Sequence, residues 1–80
     1  MSPESWENMA ELKFLGYLAE IYGRKRAEIS LENPRKLREI LGVGFPEDRS
    51  IVLINRRVGN FDSIVRDGDK VVIMPMISGG

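Results

Sequence analysis

The chain ends Met76-Ile77-Ser78-Gly79-Gly80, its only Gly-Gly pair, and the reactive group this ending offers is the main-chain carboxylate of Gly80. A glycine has no Cβ beside that carboxylate, so a tail finishing on two glycines can enter a narrow slot and present a bare acid. With a pKa of about 3.5 the acid is ionised at neutral pH and is a poor electrophile until a partner activates it, for example as an acyl-adenylate. Extended at roughly 3.3 Å per residue, Met76 to Gly80 reaches about 15 to 18 Å, enough to enter a buried site in another protein. Ordering five residues costs on the order of 5 to 10 kcal/mol, so capture requires backbone hydrogen bonds and a docking surface for the folded domain. The Ser/Gly-rich spacer of a linker remnant is missing before Gly79. The alternative is an ordinary frayed end.

Other chemistry is scarce. Cys 0 and His 0 in 80 residues remove disulfides, thiolate nucleophiles, Ser-His-Asp catalysis and thiolate or imidazole metal ligation, so no metal site is expected. Asp67 and Asp69 flank Gly68 in a pattern that reads as a turn whose carboxylates bond nearby amides rather than move protons. Arg24-Lys25-Arg26 and Arg56-Arg57 are the basic clusters, but Lys+Arg 12 is balanced by Asp+Glu 12 and aromatics are few. Direct nucleic-acid binding and attraction to anionic membranes are therefore not expected. Phe61, Met74 and Met76, with Pro75, are candidates for an apolar docking patch beside the tail, Met being suited to adaptable contacts; packing in a small core explains Phe61 equally well. The chain reads as a non-catalytic component whose activation comes from elsewhere.

The elements that would hold this tail follow from periodicity. Glu11 to Phe14 alternates with Leu12 and Phe14 on one face, and Arg26 to Leu31 alternates with Ala27, Ile29 and Leu31 inward; both predict half-buried strands in adjacent antiparallel pairing. Between them, Leu15, Leu18, Ile21 and Tyr22 suit a short helical turn stopped by Gly23. Asn33-Pro34 predicts an N-cap and first residue of the main helix, with Leu37, Ile40 and Leu41 as its apolar face and Gly42 as a left-handed C-cap. After a loop over Val43 to Arg49, Ile51 to Ile54 is a continuous apolar run that predicts a central strand covered on both sides. Val58 belongs to a weak hairpin arm, Asp67-Gly68-Asp69 is a turn, Lys70 to Met74 is the last strand and Pro75 ends the ladder. One helix against one sheet is an α+β domain.

The expected organisation is an N-terminal extension over residues 1–8, flexible and carrying Trp6 without an assigned role, a domain over 9–75 and a tail over 76–80. Glu4 and Glu7 stand where a signal peptide carries positive charge, and no run of about 18 apolar residues occurs, so a cytoplasmic protein without a membrane partner is expected.

Taken together, Leu12-Lys13-Phe14-Leu15 with Leu18 and Tyr22, Ile54-Asn55-Arg56, Asp67-Gly68-Asp69-Lys70-Val71 and the ending Pro75 to Gly80 resemble the small subunit of molybdopterin synthase over almost the whole chain after Met9. That family and its relative, the sulfur carrier of thiamine biosynthesis, imply a ubiquitin-like β-grasp fold: a mixed sheet of four to five strands packed by one main helix. The resemblance further implies that the Gly80 carboxylate is adenylated by a ubiquitin-activating-enzyme-like adenylyltransferase using ATP, with no cofactor bound by this chain. A sulfur donor protein then supplies sulfur for a thiocarboxylate. By the same resemblance, Ile77, Ser78 and Gly79 are expected to form the inserting tail, with the pterin acceptor held by the molybdopterin synthase large subunit. The molybdopterin ending usually has two prolines, and Met76 stands in place of the second. Related carriers serve thiamine biosynthesis or tRNA thiolation, or become attached to protein lysines.

Overall fold

In the computed structural model, which describes residues 9–77, alternation does its work at the first strand, β1 (Met9–Phe14): Ala10, Leu12 and Phe14 point inward and are buried. Leu15 and Gly16 lead into α1 (Tyr17–Tyr22), whose one buried residue is Leu18. Gly23 closes this helix in the left-handed conformation, φ 99 and ψ −1, with its N–H donated to the Ala19 carbonyl, as the sequence predicts. The chain returns as β2 (Arg26–Ser30), antiparallel to β1 with Leu12 opposite Ala27.

The second helical region departs from expectation. Asn33-Pro34 does not start a helix: Arg35–Lys36 is a two-residue strand, β3, and the helix α2 runs only from Leu37 to Leu41. No side chain caps it. Instead the Leu37 N–H donates to the Ser63 carbonyl and the Arg38 N–H to the Phe61 carbonyl. Orphan amides of a first turn need partners, and here a distant loop supplies them, so the local cap signal is overridden. Gly42 has a positive φ of 87, but its ψ of 177 is extended rather than left-handed helical, and its amide still bonds the Arg38 carbonyl. The short helix α1 expected before Gly23 and a second helix, α2, that starts later than Asn33-Pro34 predicts are the two α-helices of the described residues.

A 3₁₀ turn (Glu47–Arg49) leads into β4 (Ser50–Ile54), which turns through Asn55-Arg56 to β5 (Arg57–Gly59). β6 (Ile64–Val65) pairs with β3, and β7 (Lys70–Pro75) completes a five-stranded sheet ordered β2-β1-β7-β4-β5. Only the β1–β7 pairing in this sheet is parallel; all its other neighbours are antiparallel. The central strand is β7. β4 lies beside it, burying Ser50 and Val52 while Ile51 and Leu53 are half-buried on the outer face. The continuous apolar run concealed this alternation, and its two faces meet different surroundings.

The core lies between the sheet's inner face and the covering elements: Leu12, Phe14, Val52, Val71 and Ile73 meet Leu18, Leu37, Phe61 and Val65. Phe14 stacks on Tyr22 at 4.1 Å between ring centroids, and Phe45 bridges to Phe61 at 6.1 Å. Burial of each large apolar side chain favours the fold by about 1.5 to 3 kcal/mol. The net effect is to fix β7 between two full-length strands, with its far end facing solvent.

Candidate functional site

The site is the place where β7 leaves the sheet. Ladder alternation sends the Asp69 and Ile73 carbonyls to the amides of Glu11 and Leu15, so Pro75 faces β1 as well. Proline has no N–H to continue that ladder, which ends on this side. On the other side the Met76 N–H donates to the Arg49 carbonyl at 2.8 Å. Ile77 is 86% exposed and Met76 51%, whereas Met74 and Pro75 are half-buried. Ser78, Gly79 and Gly80, the tail residues on which the sequence reading rests most heavily, lie outside the described residues, as do Trp6 and the rest of residues 1–8.

The expected docking residues separate. Met74 and Met76 reach the surface near the exit, but Phe61 is only 6% exposed, sits against Phe45 and belongs to the core cluster. Its docking role is corrected: a ring packed among core residues offers no surface to a partner.

In its place the structure presents residues the sequence reading missed. Across the outer face, Lys13, Val72, Leu53 and Val58 form one row over β1, β7, β4 and β5, each directly opposite the next. Met74 opposite Ile51 forms a second row nearer the exit. Paired residues share a face, so Val72, Leu53, Val58, Ile51 and Met74 make one apolar patch, in which Val58 is 80% exposed. A shallow depression of about 350 Å³ lined by Leu53, Val72, Asn55, Arg56 and Lys70 borders it. With Lys13, these side chains give the apolar centre a cationic margin, an arrangement that fits a partner with an apolar centre and an acidic rim. The alternation of Val71 to Met74, with Val71 and Ile73 inward, was the signal that could have revealed it.

The turn carboxylates hold the fold together. Asp67 Oδ1 accepts the Leu31 N–H at 2.9 Å, from 36 residues earlier in the chain rather than from a neighbouring amide, while Asp69 Oδ2 accepts the Arg66 N–H at 2.9 Å and its Oδ1 the Asn55 side-chain amide at 3.0 Å. Asn55 Oδ1 in turn accepts the Lys70 N–H at 3.0 Å. Among the described residues no cluster of acidic side chains is arranged to hold a metal ion, and no helix is long and apolar enough to cross a membrane. Of the basic residues, Arg26 pairs with Glu11 at 3.2 Å on the outer face.

Comparison with known proteins places this geometry. The model of the ThiS family matches residues 12–80. Among solved structures, small archaeal modifier protein 1 from Haloferax volcanii is 20% identical with a TM-score of 0.68, covering 90% of this chain and 99% of its own. Molybdopterin converting factor subunit 1 from Pyrococcus furiosus is 21% identical with a TM-score of 0.64, covering 86% of this chain and 98% of its own. Urm1 from Trypanosoma brucei is 18% identical with a TM-score of 0.56, each chain covering 100% of the other.

Proposed function

The chain belongs to the ThiS family, a family of ubiquitin-like sulfur carriers with the β-grasp fold, and on that footing we propose that it carries sulfur on Gly80 for biosynthesis of the molybdenum or tungsten cofactor. A Gly80 carboxylate oxygen attacks the α-phosphorus of ATP on a ubiquitin-activating-enzyme-like adenylyltransferase, and pyrophosphate leaves. A hydrosulfide equivalent from a sulfur donor protein attacks the acyl carbon, and AMP leaves, so one oxygen is exchanged for one sulfur. The thiocarboxylate then enters the molybdopterin synthase large subunit, its sulfur bonds to the cyclic pterin precursor, and water hydrolyses the acyl–sulfur bond, leaving the sulfur on the pterin and Gly80 again as a carboxylate. Small carriers of this kind are generally non-catalytic. This chain contributes the tail and the outer-face patch, and the setting is cytoplasmic.

One observation supports this reading above the others: the family match runs through Gly79 and Gly80, and it continues a central strand that leaves the fold with Ile77 almost fully exposed. Incubation with the adenylyltransferase, ATP and sulfide tests it. The expected product is heavier by about 16 Da at Gly80, the replacement of one oxygen by one sulfur in an acyl group. An unchanged mass, with an adenylyltransferase active on its own second carrier, overturns the reading.

A second reading is a protein modifier joined to lysines through the same adenylate. It is favoured by Met76, which stands where molybdopterin carriers have their second proline, and by the resemblance in fold to small archaeal modifier protein 1. Sulfur service in tRNA thiolation or thiamine biosynthesis uses the same activation. High-mass adducts that vanish on deletion of Gly80, with no pterin product, decide for the modifier.

A further inference from the structure

Resting on the tail reading above, we infer that Gly16 is a positioning residue that aims the tail through Pro75. Gly16 has φ 60 and ψ −144, a conformation open in practice only to glycine. A Cβ built there would stand 3.0 Å from Pro75 Cγ and 3.5 Å from its Cδ, the first tighter than ordinary van der Waals contact, so the ring would have to give by a few tenths of an ångström. The pyrrolidine ring therefore lies on a backbone surface that only the absence of a side chain provides. Gly16 also sits directly after Leu15, whose N–H holds the Ile73 carbonyl at 3.0 Å.

The three contacts form a clamp around the last residues of β7. Leu15 holds Ile73 from the β1 side, Gly16 seats Pro75 where the ladder has no donor left, and Arg49 holds Met76 from the β4 side at 2.8 Å. The first residue beyond the clamp is Ile77, which is 86% exposed. Were Pro75 and Met76 released, a partner would have these two further residues to order, and at about tenfold per residue capture would weaken about a hundredfold. Gly16 thus acts on the distance and direction from the docked domain to the partner's reactive centre, without touching the reacting atoms.

The test reads the Met76 amide by hydrogen exchange and the adenylation kinetics of the full chain. Gly16→Ala is expected to speed Met76 exchange at least tenfold and raise the KM for the carrier about a hundredfold, with kcat within twofold of wild type. Pro75→Ala, which removes the ring without straining Gly16, is expected to move both readouts in the same direction. Gly23→Ala is the control: it also places a side chain at a left-handed φ, 99, but meets nothing within 4 Å, so it should lower stability while leaving Met76 exchange and KM within twofold. Unchanged KM in Gly16→Ala with an active wild type overturns the inference, and so does an equal KM rise in Gly23→Ala. Wild-type protein that is never adenylated, while its Met76 amide remains protected, overturns the carrier reading instead and removes the role assigned to Gly16 with it.

Discussion

The Asp67 carboxylate accepts the amide of Leu31 at 2.9 Å, tying the turn that launches β7 to the end of β2. The turn opens β7, so this bond fixes where the central strand of the sheet begins. Asp67→Ala leaves a partly buried amide without an acceptor and is expected to lower stability by about 1 to 3 kcal/mol. Asp67→Asn keeps an acceptor oxygen and should cost less than half as much. Urea unfolding with an unchanged m-value measures both; equal losses for the two variants would refute the assignment.

The outer face and the core should respond oppositely to mutation. Val58→Asp changes an exposed residue of the apolar patch and is expected to shift stability by no more than about 0.5 kcal/mol while weakening adenylyltransferase binding at least tenfold. Phe61→Ala removes a buried ring and should cost about 3 to 5 kcal/mol. Thermal unfolding paired with isothermal titration calorimetry separates the two. A Phe61→Ala protein that stays stable and loses binding would return Phe61 to the docking surface.

Asn55 and Arg56 both take left-handed φ values, 52 and 73, at the hairpin between β4 and β5. Such turns favour Asn followed by Gly, so Arg56→Gly is expected to raise stability by about 0.5 to 1 kcal/mol. Arg56 also lines the cationic depression beside Leu53 and Val72. The same variant should therefore bind the adenylyltransferase severalfold more weakly and with a shallower salt dependence. Loss of stability, or binding that keeps its full salt dependence, counts against this pairing of strain with use.

Gly80→Ala, or extension by one residue, is expected to leave unfolding within about 0.5 kcal/mol of wild type, because the core is built from residues between Ala10 and Ile73. Sulfur loading, read as the gain of about 16 Da, should fall at least a hundredfold. Full loading of either variant would remove the need for a terminal double glycine.

Periodicity and turn chemistry were enough to read β1, β2 and β7, the Gly23 stop and the Asp67-Gly68-Asp69 turn from the chain alone, because each is encoded within a few neighbouring residues. The empty inventory of cysteine and histidine and the double glycine likewise needed no structure to be noticed. Tertiary structure decided what depends on distant partners. The start of α2 moved to Leu37 because its amides are satisfied by Phe61 and Ser63, carbonyls far along the chain that outweigh the cap signal of Asn33-Pro34. The apolar run of β4 could not reveal which side chains face water; its pairing with β7 put Ile51 and Leu53 outside and Val52 inside. Phe61 went to the core for the same reason: a side chain's type states what it can bury, and only the packing of remote segments states whether it is buried.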